Sequence, residues 1–426
     1  MIRAEQFRYV NLEVNDDSVV GHYELDGRHF AERVDFDNIH SLRCPALIAV
    51  AQLWYLVAGL SYYKAGAARH VDLGSTPVGA RGREFFEAAL RDGLGEFSFR
   101  NELSLDDVTI SGGSDVAALR PDIESSRVLI PFGGGIDSVV TVNELDHLER
   151  SLFIVSPSSG RFAPLEATAA LTQLNVVRAT RHLDAQILRG DDNFFNGHVP
   201  VTSMVTALAA LAALASGHGA VAMSNEHSAS SPNLRWRGRD INHQWSKSWI
   251  AEVLLGAALE ERIGSDFVVA SYLRNRSELW VAQRFARAHA FHQVFRSCNR
   301  AFAQRPGDRA QQWCGMCDKC LFINLILAPF IQRDQLRAIF GSEPISDPRL
   351  DESLRSLIGL GLEHKPFECV GDPDESAVAL RFISALPEWL DVTRLGELSR
   401  LTTPDRDLDE LLEPEGTSRV PAHWLR

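Results

Sequence analysis

The sequence predicts an α/β protein in which helices cover both faces of a parallel β-sheet, preceded by an α+β N-terminal domain. From residue 127 onward, short apolar runs alternate with helical segments, which is typical of parallel strands joined by crossover helices. Residues 1–40 instead alternate polar and apolar side chains, as the strands of a meander do. The 426 residues are 45% hydrophobic and 23% charged, which suits a folded chain of about two to three domains.

The N-terminal domain is predicted over residues 1–125. Asp16-Asp17 and Asp26-Gly27 supply turns between its strands. Helical stretches follow at 45–67 and 83–94. The three predicted strands lie at 9–14, 22–26 and 30–36.

The second domain is predicted over residues 126–342. Its five strands are expected at 127–130, 151–156, 176–178, 220–224 and 267–270. Its helix-compatible segments lie at 138–150, 164–173, 202–216 and 247–262. Residues 343–426 are acidic and loop-rich, with short helices around 350–360 and 375–386, and form a C-terminal extension without a chemical motif.

Charge and hydropathy exclude several classes of partner. A net charge of −13 and a pI near 5.6 argue against a broad nucleic-acid surface, which needs clustered Lys and Arg. The N-terminus lacks the apolar core of a secretory signal. The apolar stretches 45–63 and 201–216 are too short or too polar for membrane helices, so we expect buried helices there. These features predict a cytoplasmic protein that binds neither nucleic acid nor membrane, and they carry no signal for the oligomeric state.

A glycine-rich turn follows the first strand of the predicted sheet: Pro131-Phe132-Gly133-Gly134-Gly135-Ile136-Asp137-Ser138. Such a turn exposes consecutive backbone N–H groups, and the helix N-terminus adds partial positive charge, so the turn can hold an anion. Ser138 can cap the helix and donate to a phosphate, and Asp137 can orient the loop or a Mg²⁺ ion. A tight turn without a ligand is the alternative. A Walker-type loop is excluded because no Gly-Lys-Ser/Thr follows.

This loop resembles the SGGxDS signature of the PP-loop ATP pyrophosphatases. The resemblance implies an adenine nucleotide alpha hydrolase-like fold and cleavage of ATP to AMP and pyrophosphate, usually by adenylation of a substrate oxygen. Gly133 stands where the family has a serine, so backbone contacts must replace one hydroxyl contact. The residues predicted to bind the nucleotide are Gly133, Gly134, Gly135, Asp137, Ser138 and Ser156.

Four of the six cysteines form a cluster: Cys298, Cys314, Cys317 and Cys320. Their spacing suits tetrahedral zinc in a closed, structural site. A disulfide is disfavoured in a cytoplasmic protein, whereas unliganded thiols and an iron–sulfur cluster are open alternatives. Cys44 and Cys369 stand apart from this cluster.

A dense polar segment, 224–248, follows the fourth strand, at the edge where open α/β sheets bind ligands. Residues suited to proton transfer or phosphate contact are Glu226, His227, His243 and Lys247. Residues predicted to contact substrate are His198, Asn225, Asn242 and three arginines suited to phosphate or carboxylate, Arg235, Arg237 and Arg239. The alternative is a solvated loop with a helix cap at Ser246 or Ser248.

Together these motifs resemble the MurL family, the UDP-N-acetyl-α-D-muramoyl-L-alanyl-L-glutamate epimerases of peptidoglycan synthesis. The resemblance rests on the strand pattern at 22–36, the loop at 133–138, the cysteine cluster, Gly197-His198-Val199-Pro200-Val201-Thr202, Asn225-Glu226-His227-Ser228 and Ile241-Asn242-His243-Gln244-Trp245-Ser246-Lys247-Ser248. It implies ATP-dependent inversion of the terminal L-Glu of UDP-MurNAc-L-Ala-L-Glu to D-Glu, with release of AMP and pyrophosphate. The residue chemistry agrees, because a free carboxylate opposes removal of the neighbouring α-proton and adenylation removes that obstacle.

Three other functions compete with this one. A 7-cyano-7-deazaguanine synthase-like ligase shares the loop and the late cysteine cluster, but the N-terminal domain and the long tail count against it. A tRNA-modifying PP-loop enzyme fits the loop but not the negative charge. A nucleotide-binding regulator without catalysis is the alternative from another class, and the polar segment 224–248 argues against it.

Overall fold

The computed structural model describes residues 1–121, 123, 126–191, 193–297, 299–302, 306–310, 312–361 and 364–426. Its strands are β1 (Gln6–Val14), β2 (Ser18–Leu25), β3 (Arg28–Asp37), β4 (His70–Asp72), β5 (Thr109–Ser111), β6 (Arg127–Pro131), β7 (Glu149–Pro157), β8 (Val176–His182), β9 (Ala220–Met223), β10 (Leu234–Trp236), β11 (Arg239–Ile241) and β12 (Val268–Ser271). Its α-helices are α1 (Pro45–Ala58), α2 (Leu60–Tyr63), α3 (Gly79–Arg91), α4 (Gly95–Arg100), α5 (Ile136–Glu144), α6 (Ala163–Thr172), α7 (Ala185–Arg189), α8 (Val201–Ala215), α9 (Trp249–Ile263), α10 (Glu278–Ala286), α11 (Asp318–Leu327), α12 (Arg333–Phe340), α13 (Asp351–Leu357), α14 (Pro373–Ser384), α15 (Thr393–Leu401) and α16 (Leu408–Leu411).

Ten of these strands form one sheet, in the order β12-β9-β6-β7-β8-β3-β2-β1-β4-β5. Most neighbouring pairs are parallel, and the antiparallel ones are β1–β2, β2–β3 and β3–β8. The chain is therefore a mixed α/β protein with a large, mostly parallel sheet.

The predicted N-terminal meander is confirmed as β1, β2 and β3. Asp26 and Gly27 join β2 to β3 with φ of 45° and 82°, the left-handed backbone of a tight hairpin turn. The sheet continues beyond the meander, because β3 pairs with β8. This antiparallel pairing runs from Arg33 opposite His182 to Asp37 opposite Arg178. Sheet hydrogen bonds therefore join segments on either side of residue 125. The domain boundaries at 125 and 342 stay predictions.

Helices cover both faces of the sheet. Leu129 of β6 packs into one core with side chains of α1, α8 and α9. Its neighbours Val128 and Ile130 pack into a second core with side chains of α5, α10 and α11. Successive residues of a strand point to opposite faces, so the continuous apolar run at β6 is what a doubly covered strand requires.

The prediction that the apolar stretch Pro45–Tyr63 is too short or too polar to cross a membrane was wrong, because it has 19 residues and its most apolar window has a mean hydropathy of 1.4. However, 89% of its most apolar window is buried inside the protein. It forms α1 and α2, and α1 packs against α8 and α9. The expectation of buried helices at this stretch and at α8 is confirmed.

The acidic C-terminal extension is more ordered than its loop-rich sequence suggests. Leu354, Leu380, Leu398 and Leu411, from α13 to α16, all lie in the second core. The segment between α13 and α14 returns to the carboxyl edge of the sheet, where Cys369 lines a cavity.

Candidate active site

The candidate site lies where the strand order reverses. The chain runs from β6 outward to β7 and β8, and later places β9 and β12 on the other side of β6. The carboxyl ends of β6 and β9 therefore flank a crevice, which is where open α/β sheets bind ligands. A cavity of about 400 Å³ occupies this crevice. Polar and charged residues in its wall include Asp137, Ser138, Asn225, Lys247, Lys319 and Cys369.

The glycine loop forms one wall of the cavity. Gly134 has a φ of 72°, which favours glycine, and Gly135 is the N-cap of α5 in extended backbone. Ser138 Oγ donates to the Gly135 carbonyl at 3.2 Å. A side chain at Gly133 would meet open space, so nothing in the fold excludes the serine of the related signature. Gly133, Gly135, Asp137 and Ser138 line the cavity at the start of α5, where the first N–H groups of a helix have no intrahelical partner.

Ser156, also predicted to bind the nucleotide, lies buried in β7. The cavity wall receives Phe153 and Val155 from that strand instead. Gly134 is likewise absent from the cavity wall, and a Cβ added there would lie 3.1 Å from Leu165 Cδ1.

Buried carboxylates surround the loop. Burial, together with the charge of Glu226, raises the pKa of Asp137 to about 6. Burial and the neighbouring carboxylates of Glu226 and Asp137 also raise the pKa of Glu278 well above its usual range. Asp137 Oδ1 and Glu226 Oε2 are buried and accept no hydrogen bond from the described residues. Unsatisfied anionic oxygens of this kind need a cation or a proton.

Lys247 supplies positive charge to the same wall. Burial alone would lower its pKa, but Cys369, Glu226 and Asp137 together raise it, so the ammonium form is held. Its Nζ also donates to Gln244 Oε1 at 3.3 Å. An ammonium group beside the glycine loop suits a phosphorylated ligand.

His243 joins three polar groups from distant parts of the chain. Its Nδ1 lies 2.5 Å from Glu96 Oε2, and its ring lies 4.3 Å from that of His198 between centroids. Burial alone would lower the pKa of His243, but hydrogen bonds to Cys369 and Glu96 raise it to about 9. Burial and the charge of His243 lower the pKa of His198 to about 4. Since Arg100 donates to the other oxygen of Glu96 at 2.5 Å, this cluster is an ion-pair network.

Cys369 was missed by the sequence analysis. Burial alone would raise the pKa of its thiol, but Lys247, His243 and Lys319 lower it to about 6. Its neighbour Lys319 was missed as well, although its place between Cys317 and Cys320 was a usable signal. Cys369 sits in no motif, and only the folded tail brings it to the cavity.

Several predicted site residues lie outside the cavity wall. His227 Nδ1 pairs with Glu415 Oε1 of the C-terminal extension at 3.0 Å. Asn242 Oδ1 accepts the Gln244 N–H at 2.7 Å, and its amide donates to the Ala229 carbonyl, so it shapes the loop. Asn225 does reach the wall, and it donates to Ser271 Oγ at 2.9 Å.

The three arginines lie on the β10–β11 hairpin, away from the cavity. Arg237, at the turn, stacks on Trp236 at 4.3 Å from its ring centroid. Arg239 pairs with Asp92 at 2.9 Å and with Asp106. The helix-cap alternative also holds in part, because Ser248 Oγ accepts the Ala251 N–H at the start of α9.

The cysteine cluster lies at the N-terminal end of α11. The Sγ atoms of Cys314 and Cys320 are 3.5 Å apart, and those of Cys317 and Cys320 are 3.4 Å apart. Tetrahedral zinc with Zn–S bonds of about 2.3 Å would hold sulfurs about 3.8 Å apart, so these three thiols are close to that arrangement. The fourth predicted ligand, Cys298, lies outside the described residues. The cluster also holds the segment that carries Lys319 into the cavity.

Comparison with known proteins identifies the family of this chain. One model, the MurL N-terminal domain, matches residues 1–272, and another, the MurL C-terminal domain, matches residues 294–410. The chain belongs to the MurL family. The cavity lies between the two MurL segments, because the glycine loop and Lys247 come from the first, and Lys319 and Cys369 come from the second.

Three curated relatives share the name UDP-N-acetyl-alpha-D-muramoyl-L-alanyl-L-glutamate epimerase. The one from Salinispora tropica is 37% identical over 365 residues, which cover 82% of this MurL chain and 76% of the relative. That from a Micromonospora species is 39% identical over 350 residues, which cover 80% of this chain and 76% of the relative. That from Xanthomonas oryzae pv. oryzae is 34% identical over 389 residues, which cover 88% of this chain and 84% of the relative. No solved structure matches the chain significantly.

Proposed function

We propose that this chain is an ATP-dependent epimerase that converts the terminal L-Glu of UDP-MurNAc-L-Ala-L-Glu to D-Glu in peptidoglycan precursor synthesis. The names of the three relatives support the substrate and the reaction. ATP use is supported by one observation above all, a cavity lined both by the glycine loop at 133–138 and by two lysines, Lys247 and Lys319. We assign the enzyme to the cytoplasm, where ATP and a UDP-linked precursor meet. The ligase alternative is not favoured, because all three relatives carry the epimerase name.

The proposed reaction begins with activation. The glutamate α-carboxylate attacks the α-phosphate of ATP, which forms an acyl-adenylate and releases pyrophosphate. The loop N–H groups and the ammonium groups of Lys247 and Lys319 stabilise the departing pyrophosphate. Adenylation removes the carboxylate charge, so the neighbouring α-proton becomes acidic enough to leave. A proton then returns to the opposite face, and water releases AMP.

Mg²⁺ fits this site. Asp137 and Glu226 each hold a buried carboxylate oxygen without a hydrogen-bond donor, and Mg²⁺ prefers such oxygen ligands. When bound, the ion would neutralise phosphate charge. Zinc fits the thiols of Cys314, Cys317 and Cys320 as a structural ion. We propose that Arg235 and Arg237, whose side chains reach solvent outside the cavity, contact the UDP diphosphate.

The proposed function is tested by incubating the protein with ATP and UDP-MurNAc-L-Ala-L-Glu in deuterated water. We expect release of AMP and pyrophosphate, accumulation of the D-Glu isomer and deuterium at the glutamate α-carbon. Separation of the glutamate stereoisomers after hydrolysis and mass spectrometry supply the readouts. Epimerisation without ATP, or AMP release without inversion, would contradict the proposal.

A further inference from the structure

Inversion at the glutamate α-carbon needs a base in contact with the substrate, and the cavity restricts the choice. Glu226 and His227, two of the candidate bases, are not in its wall. Lys247 is in the wall, but it is held in the ammonium form, which cannot accept a proton. Asp137 lies in the first turn of α5, beside the glycine loop, where it is proposed above to bind Mg²⁺ and is therefore not assigned as the base. Cys369 remains as a group in the wall that can ionise near neutral pH.

Cys369 ends a chain of three side chains, which we call the Cys-His-Glu relay: Cys369, His243 and Glu96. The carboxylate of Glu96 holds His243 Nδ1 at 2.5 Å, and His243 in turn is among the groups that lower the pKa of the Cys369 thiol. A thiol, an imidazole and an orienting carboxylate form the arrangement by which proteins activate a cysteine. Glu96 is 5% exposed, so its charge acts on His243 with little solvent screening.

The backbone around Cys369 is held from several sides. Asn233 donates to the Pro366 carbonyl at 2.7 Å and accepts the backbone N–H of His243 at 2.7 Å. One side chain therefore connects the segment that carries Cys369 to the backbone of His243. Gln244 Nε2 donates to the Val370 carbonyl at 3.0 Å. Lys319 Nζ donates to the carbonyl of Cys369 itself. Such bracing is expected of a residue whose position matters to chemistry.

We propose that the Cys369 thiolate removes the α-proton of the activated glutamyl group, with His243 and Glu96 as positioning residues. This inference rests on the proposed function. The Cα–H bond breaks, an S–H bond forms, and the electron pair moves into the adenylated carbonyl. Water, which the reaction also consumes to release AMP, supplies the proton for the opposite face. The thiol then returns its proton to solvent, with His243 stabilising the thiolate.

The test separates proton removal from activation. Wild type, Cys369→Ser, Cys369→Ala and the matched control Cys44→Ser, which changes an exposed cysteine outside the cavity wall, are compared in deuterated water. One readout is deuterium at the glutamate α-carbon, and the other is substrate-dependent exchange of labelled pyrophosphate into ATP. We expect both Cys369 variants to lose about 10²- to 10⁴-fold in deuterium incorporation, the usual contribution of an acid–base group, while pyrophosphate exchange persists. Cys44→Ser should match wild type in both.

The outcomes distinguish this inference from the proposed function. Wild type that is inactive in both readouts would contradict the function itself. Cys369→Ser that incorporates deuterium at the wild-type rate would overturn the role of Cys369 alone. A glutamyl adduct on Cys369, detected by intact mass, would also overturn it, because the sulfur would then act as a nucleophile.

A second measurement keeps Cys369 in the protein, so it does not depend on whether the Cys369 variants fold. In the Cys44→Ser background, iodoacetamide should alkylate Cys369 rapidly at neutral pH, and ATP with the muramoyl dipeptide should protect it. Peptide mass spectrometry locates the label. A Cys369 that resists alkylation until strongly alkaline pH would show that no thiolate is present and would overturn the inference.

Discussion

At the scale of single residues, the cavity gathers charges that compensate one another. Lys247 lies among Cys369, Glu226 and Asp137, and their charges raise its pKa against the effect of burial. The same ammonium group is the foremost of those that lower the pKa of Cys369. Removing one member of such a group changes the protonation of the others, so the site should respond sharply to pH.

The pH profile of epimerisation should be bell-shaped. The groups facing Cys369 are Lys247, His243 and Lys319, with Asp137 and Glu226 behind Lys247. Activity should appear as pH rises through about 6, where Cys369 ionises, and disappear as pH rises through about 9, where His243 loses its proton. The rate constant for product formation at saturating substrate, measured across pH, supplies the profile.

Glu96→Gln should narrow this profile. The variant keeps a hydrogen-bonding amide but removes the charge that favours the imidazolium, so the alkaline limb should move to lower pH. A weaker positive charge on His243 should also move the acid limb upward. Glu87→Gln is the control, because it removes a carboxylate from a surface pair with Arg91 at 3.2 Å. Equal profiles for the two variants would show that Glu96 does not act through His243.

What the sequence could predict of the site depends on whether a residue belongs to a local pattern. The glycine loop is readable because strand, turn and helix are contiguous, so Gly133 and Asp137 could be assigned to the site. Cys369 could not, because it lies in an acidic tail and reaches the cavity only through packing. Glu96 was missed for the same reason, since an exposed-looking residue of a short helix gives no sign of a distant histidine. The arginines were recognised as a group, but their hairpin turns them away from the cavity.

At the scale of elements, the loop between β6 and α5 combines two different kinds of glycine. Gly134 adopts a φ of 72°, and a side chain there would lie 3.1 Å from Leu165 Cδ1. Gly133 has open space around it. The five strands and four helices predicted over residues 127–270 were found, because apolar runs at doubly covered strands are a strong signal, whereas α7, the β10–β11 hairpin and α10 to α12 were not predicted. The ends of the predicted strands were less certain, since β8 continues to His182 in order to pair with β3.

Alanine should impair ATP use at Gly134 but leave it nearly unchanged at Gly133. Gly134→Ala forces a left-handed backbone on alanine, which costs about 1–2 kcal/mol and displaces the N–H groups of the cradle. We expect a raised KM for ATP and slower pyrophosphate release from this variant. Gly133→Ala should remain close to wild type and supplies the control. Steady-state kinetics at varied ATP would decide, and a Gly133→Ala variant as impaired as Gly134→Ala would contradict this account of the loop.

At the scale of the whole molecule, the sheet joins the N-terminal meander to the half that carries the glycine loop. Glu32 of β3 is 0% exposed and pairs with Arg181 of β8, with Arg181 Nε 2.6 Å from Glu32 Oε1. The pair crosses the β3–β8 junction, where the two halves of the sheet meet. Arg181 Nη2 also donates to Ser61 Oγ at 3.2 Å, which connects α2 to the same junction. The meander therefore acts as part of one folding unit.

Removing one partner of this pair should destabilise the whole chain. Glu32→Ala leaves a guanidinium buried without its carboxylate, which costs about 3–5 kcal/mol, whereas loss of the more exposed pair between Arg33 and Asp35 costs at most about 1 kcal/mol. Urea unfolding of Glu32→Ala and of the control Arg33→Ala measures the difference. The double variant Glu32→Leu with Arg181→Met should recover most of the loss, because no charge is then left buried. If Glu32→Ala unfolds at the same urea concentration as Arg33→Ala, the pair does not hold the halves together, and hydrogen bonds and apolar packing at the β3–β8 junction must do so alone.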